Sequence, residues 1–184
     1  VYLHHCNFGK NGEYFDEALD VLTKFKDQGR LRFIGLSDWS NSRIMKYVKM
    51  CDPDVIQPYR NVMDDGFIKS GLCSYVNKNN LGVCFFSPIK HGLLTGKYDK
   101  PTSFELGDHR SGVKDFADQK VIDKMKQNKL LLEKKFTEHK HPVMRGLVDA
   151  LFNDAKSGCV LLGQRNVDQV NVASTLGEPM DEKD

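Results

Sequence analysis

The chemistry-bearing residues of this 184-residue chain collect at the ends of short apolar runs. His4-His5 follow Val1-Tyr2-Leu3, and Ser37-Asp38 follow Leu31-Arg32-Phe33-Ile34-Gly35-Leu36. Gln57 ends Asp54-Val55-Ile56-Gln57, Phe86-Ser87 end the run from Gly82, and Gly163-Gln164-Arg165 end the run from Gly158. A rim holding a histidine, a serine/aspartate pair, a carboxamide, an aromatic ring and an arginine suits a polar, ring-bearing ligand with an anionic group. Each type has its own chemistry. An imidazole hydrogen-bonds an oxygen that gains charge. A carboxamide at the end of an apolar strand is costly unless paired. An aromatic face supplies contact area, and an arginine beside a helix start makes an anion site. His4 and His5 are adjacent on a strand and point to opposite sides, so no metal pair is expected there and no metal site elsewhere.

Periodicity predicts the elements that position these residues. Phe15, Ala18, Leu19, Leu22 and Phe25 recur at spacings of three and four, one face of a helix that Gly29 stops. Ser37, Asp38, Ser40 and Asn41 offer N-caps for a helix over 42–50, broken by Asp52-Pro53. Phe67, Ile68, Leu72, Tyr75 and Val76 mark another helix face. Residues 99–115 read as a long loop and 114–136 as a charged surface helix. Val143, Met144, Leu147, Val148, Leu151 and Phe152 form a clean helical face, and the last helix is expected over 166–176.

Five apolar runs without period-two alternation, each followed by a helix, predict parallel strands buried on both faces. That pattern is α/β: a doubly wound sheet or part of a (β/α)₈ barrel. A complete barrel takes roughly 250 residues, so five units match about five-eighths of one. Asn7-Phe8-Gly9-Lys10-Asn11-Gly12 is not a dinucleotide-binding glycine fingerprint, and no phosphate-loop motif exists, which argues against the open sheet.

Composition excludes other classes. Lys and Arg number 27 against 25 Asp and Glu, a near-balance that argues against a nucleic-acid partner. No apolar run approaches the length of a membrane span, and the N-terminus has no basic region or cleavage site of a signal peptide. Five cysteines with no CxxC pair read as reduced thiols, which predicts a cytoplasmic protein. The pattern sets no oligomeric state. Residue 1 is Val rather than Met and opens directly in an apolar run, so an upstream segment is expected.

Taken in order, these segments resemble the aldo/keto reductases, NAD(P)H-dependent enzymes on a (β/α)₈ TIM barrel. The matching segments are Val1–His5, Gly29–Ser37, Asp54–Gln57, Phe86–Ile89 through Gly92–Tyr98, and Val160–Gln169. The last of them most resemble the branch that shares a fold with potassium-channel β subunits. The resemblance covers nearly the whole chain. It implies a partial barrel, units four to eight, with residues 1–184 forming an incomplete barrel domain. It also implies NADPH-dependent reduction of an aldehyde or ketone to an alcohol by the complete barrel, with NADH the alternative cofactor.

The resemblance assigns roles residue by residue. His5 matches the active-site histidine that hydrogen-bonds the substrate carbonyl oxygen; a strand-end structural role is the alternative. Ser37 and Asp38 match a Ser-Asn pair that binds the nicotinamide carboxamide. Asp stands here for Asn, and an ionised carboxylate accepts but does not donate; a helix cap is the alternative. Gln57 matches the carboxamide-binding glutamine, and Phe86 the aromatic that stacks under the nicotinamide, with core packing as its alternative. Ser87, Ile89, Gly92 and Leu93 match the loop around the pyrophosphate, where Lys97 adds a cation or is an ordinary solvated lysine. Gly163 falls in the matching 160–169 segment. Arg165 and Gln169 match the adenosine and 2′-phosphate end, a surface salt bridge being the alternative for Arg165. Family members carry an Asn three or four residues after that Gln; here Asn171 is two after it. The family's Asp, Tyr and Lys, which deliver the proton, precede the fourth strand, and no position here matches them. A non-catalytic nicotinamide-nucleotide-binding regulatory module resembling potassium-channel β subunits is the competing reading.

Overall fold

A computed structural model of the chain describes residues 2–155 and 157–181. Five parallel strands run β1 Tyr2–His5, β2 Ile34–Asp38, β3 Val55–Pro58, β4 Gly82–Phe85 and β5 Gly158–Val160. They lie side by side in chain order, β1-β2-β3-β4-β5. A doubly wound sheet reverses its order at a switch point, whereas a barrel never does. The order observed is the barrel's. Val1, expected in the first strand, lies outside the described residues.

The chain divides into two compact units, Val1–Phe86 with Asp154–Leu161, and Ser87–Asn153 with Leu162–Asp184. The first holds the whole sheet and helices α1 Phe15–Asp27, α2 Asn41–Cys51, α3 Gly66–Lys69 and α4 Leu72–Asn79. Helix α1 carries Asp16 and Glu17 in its first turn and Lys24 and Lys26 in its last, each sign where the helix dipole favours it. It ends at Gln28, and Gly29 takes φ 70°. The amides of Arg30 and Leu31 both donate to the Phe25 carbonyl. That capping turn consumes residues expected in the second strand, so β2 starts at Ile34, whose amide donates to Asp54 Oδ2. The helix expected over 67–76 is two, because Gly71 at φ 78° breaks it. Phe67, Leu72 and Val76 still face the core, while Ile68 is exposed.

Burial along β3 and β4 alternates, contrary to the expectation of strands covered on both faces. Leu36, Ile56, Val83 and Phe85 pack with Ile44, Val48, Phe67 and Leu72 at 2% exposure or less. The opposite face, with Val55, Gln57 and Cys84, is half-buried. Full burial of side chains of this size contributes about 1.5–3 kcal/mol each, so the helix-covered face holds this unit together.

The second unit contains α5 Gln119–Lys135, α6 Pro142–Val148 and α7 Val167–Ala173, with short 3₁₀ segments at Lys90–Thr95 (kinked at His91-Gly92), His109–Gly112, Lys114–Ala117 and Asp149–Asn153. Helix α5 packs on α6 and on the Lys90–Thr95 turn through Ile122 and Met125. Its Leu130 and Leu131 are exposed, consistent with the surface helix expected. Asn166 caps α7 by accepting from the Gln169 amide at 3.0 Å.

Candidate functional site

In the first unit, strand register assembles the rim. His5 is the register partner of Ser37, and Ser37 of Gln57. Register partners on parallel strands project from one face, so these three side chains emerge together. The His5 side chain is 53% exposed, and Ser37 and Gln57 are half-buried. Ser37 Oγ donates to the Gln57 backbone oxygen at 3.2 Å, which fixes the hydroxyl and leaves its oxygen able to accept. The Gln57 carboxamide makes no hydrogen bond among the described residues. A half-buried carboxamide without an internal partner is open to a hydrogen bond from solvent or a ligand.

Asp38 lies one residue on and projects to the other face, where it is 2% exposed. Its Oδ1 accepts from the Ser40 amide at 2.8 Å, and its Oδ2 accepts from Arg43 Nη1 at 3.2 Å. The same Oδ2 lies 3.5 Å from His5 Nδ1. Both oxygens therefore serve the turn into α2, whose N-cap is Ser40. The geometry is that of the helix-start alternative, with a carboxylate that also faces the His5 ring. Next to His5, the buried Cys6 thiol is pushed up to about 12 by its burial first and by Asp38 second. It stays protonated and supplies no nucleophile.

Phe86 follows β4 and is tied to the end of β3: its amide donates to the Pro58 carbonyl and its carbonyl accepts from the Arg60 amide. Its half-buried ring meets Trp39 edge-on at 4.8 Å and Tyr59 at 5.6 Å between centroids. Trp39 and Tyr59 are 5.4 Å apart, which closes an aromatic cluster beside Gln57. Neither had been expected from the sequence. Both sit just past a strand's C-terminal end, so the same rule that picked Gln57 would have found them. Asn41 Nδ2 donates to the Tyr59 carbonyl and holds that loop to α2. A cavity of about 560 Å³ in the first unit lies elsewhere, against α1, and is lined by His4, Tyr14, Glu17, Phe25 and Arg30 among others. It takes in none of the rim residues.

The second unit's candidates fall in two groups, along 87–97 and along 163–169. In the first group, Ser87 (φ 60°), Lys90 (φ 46°) and His91 (φ 57°) all occupy the left-handed region, followed by Gly92 at φ 89°. Non-glycine residues persist there only when their surroundings hold them. Lys90 Nζ pairs with Asp115 at 2.5 Å, and His91 Nδ1 meets His109 Nε2 at 3.0 Å. The Gly92 amide donates to the Ile89 carbonyl, and Thr95 Oγ1 to the Gly92 carbonyl. Leu93 and Leu94 are buried and anchor the turn. A methyl group on Gly92 would lie 3.3 Å from Lys97 Nζ, so the ammonium of the exposed Lys97 rests beside the bare backbone. Burial, with His109 and Arg110 beside it, holds the His91 imidazole below its ordinary range.

In the second group, Gly163 is exposed and open on the side where a side chain would point. Gln169 Oε1 accepts from the Arg165 amide at 2.7 Å, which sets the backbone ahead of α7. Arg165 itself is exposed and forms no ion pair among the described residues.

Comparison with known proteins agrees with this architecture. The family model described as Aldo/keto reductase family matches residues 1–176. The chain is 27% identical over 162 residues to L-glyceraldehyde 3-phosphate reductase of Escherichia coli K12, covering 84% of this chain and 47% of that one. It is 30% identical over 80 residues to the NADH-specific methylglyoxal reductase of the same organism, covering 44% of this chain and 24% of the relative. Among solved structures, a glycerol dehydrogenase from Gluconobacter oxydans superposes with TM-score 0.77 at 23% identity, over 100% of this chain and 55% of that one. An aldo-keto reductase from Bacillus halodurans gives TM-score 0.65 at 18% identity, over 100% and 58%. At these identities the structures speak for the fold, a partial (β/α)₈ TIM barrel. The chain spans about half the length of the relatives it matches.

Proposed function

Since this chain belongs to the aldo/keto reductase family, we propose that its complete barrel reduces an aldehyde or ketone to an alcohol with NADPH, and that residues 1–184 supply the cofactor-binding units four to eight. The observation that carries this reading is the shared face of His5, Ser37 and Gln57 beside the Phe86 ring. The residues fit a nicotinamide ring: the unpartnered Gln57 carboxamide and the Ser37 hydroxyl address its amide, and Phe86 packs against its face. When bound, the cofactor supplies the hydride. Ser87, Ile89, Gly92, Leu93 and Lys97 would take the pyrophosphate. Gly163, Arg165 and Gln169 would take the adenosine end, where the exposed Arg165 guanidinium favours the extra phosphate of NADPH over NADH.

His5 would hold the substrate oxygen. Its Nδ1 lies 3.5 Å from the Asp38 carboxylate, which orients the ring. Nε2 is left for the carbonyl oxygen and donates when the ring carries both protons. Proton delivery would come from residues that this chain does not match, and loss of a general acid costs on the order of 10²–10⁴-fold in rate.

The test is to mix the purified chain with NADPH and a panel of aldehydes and follow cofactor absorbance. The expected result is saturable binding without turnover. Steady NADPH oxidation that disappears in His5→Ala would contradict the assignment of the proton donor. The competing reading is a non-catalytic nicotinamide-nucleotide-binding regulatory module resembling potassium-channel β subunits. It is separated by whether a full-length form that binds NADPH also turns over. A cytoplasmic location and a small carbonyl substrate, without a nucleic-acid or membrane partner, complete the proposal. Among the described residues no helix is long and apolar enough to cross a membrane.

A further inference from the structure

The rung of the sheet that carries His5, Ser37 and Gln57 does not end there. Ile56 pairs with Val83, which sets Cys84 beside Gln57, and Cys84 is the register partner of Cys159. Neighbouring strands lie about 4.8 Å apart, inside the roughly 4.4–6.8 Å Cα separation that a disulfide spans. The two side chains leave the same face, and Cys159 Sγ lies 3.3 Å from Cys84 Sγ. The pairing is fixed on both sides, by Val83 with Gly158, by Phe85 with Val160, and by the Leu161 amide donating to the Phe85 carbonyl. Cys159 is exposed and Cys84 half-buried.

We propose that Cys84 and Cys159 form a reversible oxidation site that takes two electrons' worth of oxidant from a hydroperoxide and stores it as a disulfide between β4 and β5. The exposed Cys159 sulfur attacks the peroxide oxygen. The O–O bond breaks, the departing hydroxide takes the Cys159 thiol proton and leaves as water, and the other oxygen stays on Cys159 as a sulfenic acid. The Cys84 sulfur then attacks that sulfur. The S–O bond breaks, the hydroxyl departs as a second water with the Cys84 proton, and the S–S bond forms. A dithiol returns the two electrons and two protons. Burial, with Cys159 alongside, pushes the Cys84 thiol up to about 11, so Cys84 resolves rather than attacks first. Burial likewise pushes Cys51 up to about 11 and Cys6 to about 12, and raises Cys73, which leaves these three poor competitors for the oxidant. None of these steps depends on cofactor binding.

The test treats the intact native chain with a small excess of hydrogen peroxide, then counts thiols after unfolding and maps cross-linked peptides by mass. The expected result is loss of two of the five thiols, one cross-link joining Cys84 to Cys159, and full recovery with dithiothreitol. Cys84→Ser should instead leave Cys159 as a sulfenic acid that dimedone traps, and Cys159→Ser should lose no thiol. The proposal is overturned if all five thiols survive, if the cross-link joins another pair, or if wild-type Cys159 is over-oxidised while Cys84 remains a thiol.

Discussion

The division of labour between Asp38 and Gln57 shows what single residues contribute. Both end a strand, yet the Asp38 carboxylate is spent on Ser40 and Arg43 while the Gln57 amide is unspent. Replacing Gln57 with Ala should therefore weaken NADPH binding about tenfold, the worth of roughly one hydrogen bond, with little change in melting temperature. Calorimetric titration and thermal unfolding of the same samples check both halves of that statement. His91 makes a pH prediction. Its imidazole, desolvated and next to His109 and Arg110, is held low, with Asp108 the opposing carboxylate. A depressed histidine gives stability that is present above the ordinary imidazole value of about 6.5 and is lost as pH falls through the lowered one. The melting temperature should fall from about pH 7 to about pH 5, and His91→Asn should flatten that slope in a fluorimetric melt. His5, Ser37 and Gln57 were legible in the sequence because each ends an apolar run. Trp39 and Tyr59 stand just past strand ends, within reach of the same rule, but their meeting with Phe86 in one ring cluster depends on register between strands, which no local pattern encodes.

Among the elements, the loop before α5 shows how a close approach fixes structure. Gly96 adopts φ 66°, and a methyl group there would lie 2.7 Å from the Met125 backbone oxygen and 2.8 Å from Lys129 Cβ. Neither the backbone nor a mid-helix Cβ yields easily. Gly96→Ala should cost about 2–3 kcal/mol through strain and overpacking. That corresponds to a fall of about 5–10 °C in melting temperature, measured by differential scanning calorimetry. Because the same helix anchors Lys90–Thr95, the variant should also loosen whatever that turn binds. Element type was readable from periodicity throughout. Element ends were less so: the Arg30–Leu31 capping turn delays β2, and Gly71 splits one expected helix in two. These shifts arise from backbone hydrogen bonds and positive φ, which hydrophobic spacing does not record.

For the molecule as a whole, the decisive feature is five parallel strands in unbroken chain order. Periodicity alone fits a doubly wound sheet or a barrel, the lack of a glycine fingerprint argues against the first, and the strand order excludes it. It also explains why both-face burial was overestimated. Strands β3 and β4 bury the row that meets the helices, while the row bearing Val55, Gln57 and Cys84 stays half-covered. That uncovered row is where the rim residues stand. The central claim is that this rim receives a nicotinamide dinucleotide. Trp39 is the chain's sole tryptophan and touches Phe86 at 4.8 Å, so its fluorescence reports on the rim directly. Titration of the chain with NADPH should quench that emission to saturation, and Gln57→Ala and Phe86→Ala should each shift the curve about tenfold to weaker binding. A response that never saturates, or one identical in wild type and both variants, would contradict the account.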